Sequence, residues 1–245
     1  AETERCELLL TCQACMLLST EGNDIEDERQ KMYKYILFDF DGTVFDTVEG
    51  ITKSVRYAIN KRGMDAPLDS LRCFAGPPLV DMYMEHFGGT PEEADQFVRD
   101  FRERYQPIGL YECRIFPGIT ELLTELRAAG RVTAVATLKP QHLASTLLER
   151  ADITSMFDAI CGSSTEGHEG TKREIITRVM DMLGARPEET VLIGDTKYDI
   201  HGAHECGIKA VGVRYGYAAP GELEAAGADV IVDDMPALRE WLMNN

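Results

Sequence analysis

Asp39 and Asp41 stand two residues apart in the segment YKYILFDFDGTVFDT, residues 33–47. The apolar run Tyr35-Ile36-Leu37-Phe38 before them reads as a strand buried on both faces. Residues two apart on a strand point to the same side, so both carboxylates can face one small volume just beyond the strand end. Two negative groups held that close repel unless a metal or a shared proton relieves them. The Asp41-Gly42 step turns the backbone sharply, and an Asp-Gly step between apolar runs also fits a β-hairpin. A second acidic group lies in VLIGDTKYDI, residues 191–200. Asp195 follows an apolar strand and a glycine, and Asp199 comes four residues later near a helix start, where an aspartate also serves as an ordinary cap. Three carboxylates at the ends of two parallel strands suggest a hard, oxygen-ligated cation such as Mg²⁺.

Two further residues have chemistry to offer. Thr137 ends the strand Val132 to Ala136, where a hydroxyl and the following backbone N–H could bind a phosphoryl oxygen. Lys172 opens a helix after the Gly-rich segment Gly162 to Gly170, with an ordinary surface lysine as the competing reading.

Positioning these residues falls to an alternating pattern. From Ile115 onward, helices over 118–129, 140–150, 172–183, 198–206, 221–226 and 235–243 alternate with strands over 131–136, 157–161, 190–193, 209–213 and 230–232. Such alternation predicts a parallel sheet covered by helices on both faces, a Rossmann-like α/β fold. Ligands of such sheets sit outside the carboxyl ends of the strands, near the point where strand order reverses. Residues 48–113 show no strand pattern. Helices are expected over 51–62 with Gly63 as C-cap, over 67–74, over 79–87, and from Thr90, with Pro91 at N1 and Glu93 at N3, to about Tyr105. This stretch reads as an all-helical insert, leaving 32–47 and 114–245 as the core. Residues 1–31 read as an N-terminal extension, a short helix or disordered arm. Its Cys12-x-x-Cys15 with nearby Cys6 lacks a fourth zinc ligand close in sequence.

At 245 residues with 44% hydrophobic composition, the chain has enough apolar material for one large domain or a core with an insert. A formal net charge of -17 disfavours a nucleic-acid partner, while a metal or lysine in a cleft leaves small anionic substrates open. No apolar run approaches a membrane span. Seven irregularly spaced cysteines, with no secretory signal, are expected to be reduced in the cytoplasm.

The ordered set DFDGT (39–43 within it), Thr137, Lys172 and GDTKYD (194–199) resembles the four-motif signature of the haloacid dehalogenase-like phosphatases. The resemblance covers about residues 33–245. FAGPPL (74–79) and ATLKP (136–140) are most similar to the phosphoglycolate-phosphatase-like branch. It implies that Asp39 is a nucleophile forming an aspartyl-phosphate, and that Asp41 is the acid that protonates the leaving oxygen and then activates water. It implies Mg²⁺ held by the carboxylates of Asp39 and Asp195 and the backbone carbonyl of Asp41, with Asp199 orienting the metal site or Lys172 from behind. Thr137 and Lys172 would bind the phosphoryl oxygens. The insert corresponds to the family's cap, and Phe74, Gly76, Pro77 and Leu79 become candidates for substrate selection, the alternative being a plain helix connector. Lys53, Arg56 and Arg72 are candidates to meet a substrate carboxylate or second phosphate. The expected activity is a Mg²⁺-dependent phosphatase acting on a small phosphorylated metabolite. A sugar phosphomutase of the same family and a catalytically silent binding protein are the alternatives.

Overall fold

Tyr35–Phe38 (β1) occupies the middle of a six-stranded sheet whose paired neighbours all run parallel. The structure, a computed structural model, describes residues 32–164 and 170–245. The N-terminal extension and its Cys6, Cys12 and Cys15 lie outside the described residues. On one side of β1 lie Val132–Pro140 (β4) and Ala159–Ser163 (β5). On the other lie Thr190–Gly194 (β6), Lys209–Val213 (β7) and Val230–Val232 (β8), giving the order β5-β4-β1-β6-β7-β8. Strand order therefore reverses at β1, and Asp39 is the first residue beyond its carboxyl end. The hairpin reading fails here, because β1 pairs in parallel with β4 and β6 and has no antiparallel partner.

The period of two along β1 decides what covers each face. Ile36 and Phe38 join the core formed with Ile119–Ala128 (α4), Gln141–Arg150 (α5) and Met235–Asn244 (α9). Leu37 turns the other way, toward Lys172–Leu183 (α6) and Lys197–Glu205 (α7). Burial of both faces is why these strands are nearly continuous apolar runs. The short helix Glu222–Ala225 (α8) links β7 to β8.

Between β1 and β4 the chain makes a detour. A two-residue strand Phe45–Asp46 (β2) pairs antiparallel with Arg114–Ile115 (β3), so the chain leaves and re-enters the core side by side. Between them run Val48–Asn60 (α1), the 3₁₀ segment Leu68–Phe74, Leu79–Phe87 (α2), Pro91–Tyr105 (α3) and a short 3₁₀ turn Gly109–Tyr111. The helices pack on one another through Val55, Ile59, Phe74, Tyr83, Phe97 and Phe101. The expected capping box at Thr90 forms, with Glu93 and Thr90 exchanging backbone and side-chain bonds. The first helix begins and ends earlier than its pattern predicts, because Lys61 closes it and Gly63 (φ 72) belongs to the following turn. Among the described residues no helix is long and apolar enough to cross a membrane. The four described cysteines, Cys73, Cys113, Cys161 and Cys206, are free thiols.

Candidate active site

Asp39 continues the ladder of β1 by donating its N–H to Ile193 of β6 at 2.8 Å, which fixes its side chain at the strand end. Lys172 reaches it from the first turn of α6, where the Thr171–Glu174 capping box sets the helix start. The lysine is buried, against the surface reading. Its Nζ lies 2.6 Å from Asp39 Oδ1 and 2.6 Å from Asp199 Oδ1. Asp199 occupies the third position of α7. Its other oxygen accepts from Asp195 N–H (3.1 Å), Thr196 N–H (3.0 Å) and Thr196 Oγ1 (2.9 Å). Asp199 therefore closes the capping box of α7 with Thr196 and also pairs with Lys172.

Asp195 is wholly buried. Thr43 Oγ1 donates to its Oδ1 at 3.1 Å, and Tyr217 N–H donates to its Oδ2 at 2.8 Å. Two glycines make room for it. Gly42 turns at φ 88, and a Cβ there would lie 2.1 Å from Asp195 Oδ2. A Cβ at Gly216 would lie 2.2 Å from Asp195 Cβ.

The carboxylates of Asp39, Asp195 and Asp199 offer oxygens within 4.8 Å of one another. Burial pushes Asp39 up to about 7, against the attraction of Lys172. Burial, together with repulsion from Asp199 and Asp39, holds Asp195 well above the usual carboxylate range. A buried, all-oxygen donor set under such strain fits a hard divalent cation. Asp199 already gives one oxygen to Lys172 and the other to three donors, so the direct side-chain ligands are better sought in Asp39 and Asp195.

Asp41 faces a different set of partners. Its Oδ1 accepts from Thr47 Oγ1 at 2.7 Å, and its two oxygens lie 3.0 and 3.2 Å from Lys139 Nζ. Sequence reasoning did not find Lys139. It is buried near the end of β4, and its Nζ donates to Tyr105 Oη of the insert at 2.6 Å. The strand also runs past its expected end at 136, with a shift in register between Ala136 and Pro140. Thr137 is buried there, and its Oγ1 accepts the Lys139 N–H at 3.1 Å, which leaves the hydroxyl proton available to an incoming oxygen. A lysine two residues after that threonine, inside an otherwise apolar strand, was the available signal.

Tyr217 also went unnoticed. Its Oη accepts the N–H groups of Thr47 (2.6 Å) and Val48 (3.1 Å), two donors left open at the start of α1. Its neighbour Tyr215 donates to Thr43 O at 3.1 Å. The signal was an aromatic pair flanking a glycine directly after β7.

The candidates of the insert are placed unevenly. Phe74 is buried inside the insert, its ring 5.8 Å from those of Phe87 and Phe97. Gly76 (φ 106) brings the turn against the core, since a Cβ there would lie 3.3 Å from the Thr196 methyl. Pro77 and Leu79 beside it are half-buried. Lys53 pairs with Glu49 and Glu112, and Arg56 with Asp65. Arg72 is exposed.

Carboxylates gathered beyond β1 and β6, with lysines brought to them from β4 and α6, stand at the switch point of the sheet, where open α/β folds bind their ligands. The sequence pattern of the haloacid dehalogenase-like hydrolases matches residues 36–213. The chain belongs to that family, in its phosphoglycolate-phosphatase-like branch. It is 39% identical over 211 residues to a 5'-nucleotidase of Pseudomonas aeruginosa, covering 86% of this chain and 96% of the relative. It is 27% identical over 214 residues to a phosphoglycolate phosphatase of Pseudomonas putida, covering 84% and 78%. A crystal structure described as a predicted phosphatase from Clostridium acetobutylicum superposes with a TM-score of 0.84 at 37% identity, covering 87% of this chain and 100% of that one.

Proposed function

We propose that this hydrolase is a Mg²⁺-dependent phosphomonoesterase that works through an aspartyl-phosphate on Asp39. One observation carries the reading: of the two aspartates flanking Phe40, one faces Asp195, Asp199 and Lys172, and the other faces Lys139 and Thr47. A nucleophile beside a cation site and an acid–base group kept apart from it is the division of labour that hydrolysis in two steps requires. In the first step the Asp39 Oδ–P bond forms as the ester P–O bond breaks, and the departing oxygen takes a proton from Asp41. In the second, Asp41 takes a proton from water as the water oxygen bonds to phosphorus. The Asp39 Oδ–P bond then breaks, and inorganic phosphate leaves. Thr137 and Lys172 hold the phosphoryl oxygens throughout. Mg²⁺, held by Asp39, Asp195 and the Asp41 carbonyl, would screen the anionic nucleophile from its anionic substrate.

The helical insert serves as a cap over this site, with Gly76, Pro77 and Leu79 selecting among leaving groups. For the substrate, a nucleoside monophosphate is favoured over phosphoglycolate. Of Lys53, Arg56 and Arg72, the candidates for a substrate carboxylate, the first two already carry carboxylate partners and Arg72 is exposed, while Lys139 is matched by Asp41. A leaving group without its own charge suits that arrangement, and the 39% identical relative bears the name 5'-nucleotidase. The expected setting is cytoplasmic, with the thiols reduced.

The test is phosphate release across a panel of monoesters, with Mg²⁺ and with EDTA, for the natural chain and for Asp39→Asn. Metal-dependent turnover lost in the variant supports the reading. Transfer of the phosphoryl group to a second sugar hydroxyl would replace it with a mutase, and failure to turn over any ester would favour a silent binding protein.

A further inference from the structure

Lys139 takes no step in the scheme above, yet among the described residues it is one of the most thoroughly enclosed cations. It is 7% exposed, its Nζ lies 5.6 Å from the centre of the Phe40 ring and 5.1 Å from that of Tyr105, and its polar partners are Asp41 and the Tyr105 phenol. A buried ammonium is costly unless it is matched and hydrogen-bonded, so its place here requires both partners. They come from different parts of the chain: Asp41 follows β1, and Tyr105 is the last residue of α3 in the insert. Thr47, the other partner of Asp41, directly precedes α1. The carboxylate is thus held between one donor from the sheet and one from the start of the insert, and the sheet donor is itself tied to the insert's far helix.

We infer that Lys139 is a positioning residue for the Asp41 carboxylate, and that Tyr105 makes this position depend on where the insert sits over the core. The inference rests on the phosphatase reading for its consequence, because Asp41 must be aimed at the ester oxygen to hand over its proton as the P–O bond breaks. Lys139 touches neither Asp39 nor the carboxylate cluster around it by any hydrogen bond among the described residues, and its charge is already matched. Its effect therefore passes through Asp41. A carboxylate gripped on both oxygens by one ammonium has its plane fixed. Moving the insert moves the phenol, then the ammonium, then that plane. An insert in the wrong place would leave the acid misdirected even with the phosphoryl group bound.

Leaving-group dependence separates this role from a structural one. An alkyl oxygen needs the proton from Asp41 to depart, whereas p-nitrophenolate departs nearly unaided. In Lys139→Met, kcat/KM, which covers the steps up to the aspartyl-phosphate and leaves out the hydrolysis that all esters share, should fall on a nucleoside 5′-monophosphate by about a hundredfold, the scale of a misplaced general acid. On p-nitrophenyl phosphate it should fall by less than about tenfold. Tyr105→Phe, which keeps the volume of the ring and removes only the phenol, should show the same split at smaller amplitude and covers the case of a poorly folding lysine variant. Equal losses on both esters, or none, would overturn the positioning role. A split in Lys139→Met with none in Tyr105→Phe would overturn the link to the insert. Crystal structures of both variants provide a readout free of turnover: the Asp41 carboxylate should be rotated from its place against Thr47 and Lys139, and an unchanged rotamer refutes the inference. Absence of turnover in the natural chain would sink the phosphatase reading alone, since the rotamer still decides this one.

Discussion

Replacing Lys172 with methionine removes one positive charge from between two buried carboxylates. Lys172 Nζ lies 2.6 Å from both Asp39 and Asp199, and all three side chains are almost fully enclosed. Methionine fills the stem's volume, so packing changes little and the loss is electrostatic. Breaking a buried ion pair from one side costs about 3–5 kcal/mol, a large part of the stability of a typical domain. The loss must also depend on pH, in a direction the structure fixes. Asp39 is held at about 7 by burial, against an ordinary value of 3.8. Between those values the folded chain binds a proton that the unfolded chain does not, so stability falls as pH rises through that window. Lysine opposes this upward shift, and its removal extends the window to higher pH. In EDTA, urea unfolding followed through Trp241, the single tryptophan, should therefore show a larger deficit of Lys172→Met at pH 8 than at pH 5.5. The deficit should shrink by up to about 1.4 kcal/mol per pH unit for each proton taken up on lowering the pH. A deficit below about 1 kcal/mol, or one that is flat from pH 8 to 5.5, would refute this account of the cluster.

Asp195→Asn should weaken Mg²⁺ binding measured by calorimetry, whereas Asp41→Asn should retain it while losing about two to four orders of magnitude in rate on alkyl esters. The reverse pattern would mean that the two roles are wrongly divided. Gly216→Ala puts a Cβ 2.2 Å from that of Asp195, so either the loop or the carboxylate must move. At least about a tenfold loss of Mg²⁺ affinity, equal to about 1.4 kcal/mol, is expected, and unchanged affinity would show that the loop yields instead. Pro77→Ala combined with Leu79→Ala should reorder kcat/KM across the monoester panel with much less effect on p-nitrophenyl phosphate. A common factor for all substrates would assign the turn to closure or stability alone.

Much of the core was legible because its signals are local. The run before Asp39, the run before Asp195 and the capping box at Thr90 each announce themselves within a few residues, and the parallel sheet follows from their alternation with helices. Lys172 was harder: nothing near it in sequence says that it will be buried, because the carboxylates that bury it are 133 and 27 residues away in the chain. Lys139, Tyr105 and Tyr217 escaped for the same reason. Each acts through a partner on another element, and a tyrosine at a helix end or after a strand has ordinary explanations. The two-residue strands at Phe45 and Arg114 carry no period at all. They exist because the 67 residues of intervening chain return to the same spot, Arg114 pairing with Asp46.

That narrow ribbon has a consequence for how the protein can change over evolutionary time. Residues facing each other in an antiparallel pair lie about 4.5–5.5 Å apart, so to the core everything between Asp46 and Arg114 is a closed loop with fixed ends. The entropic cost of closing a flexible loop grows only as the logarithm of its length, about 0.6 kcal/mol for each doubling. Insertions, deletions or wholesale exchange between these two points leave the β1 pairings with β4 and β6 intact, and with them the register that places Asp39. One segment can in this way be replaced without disturbing the strand ends, provided that the incoming segment again offers partners to Lys139 and Asp41 in place of Tyr105 and Thr47.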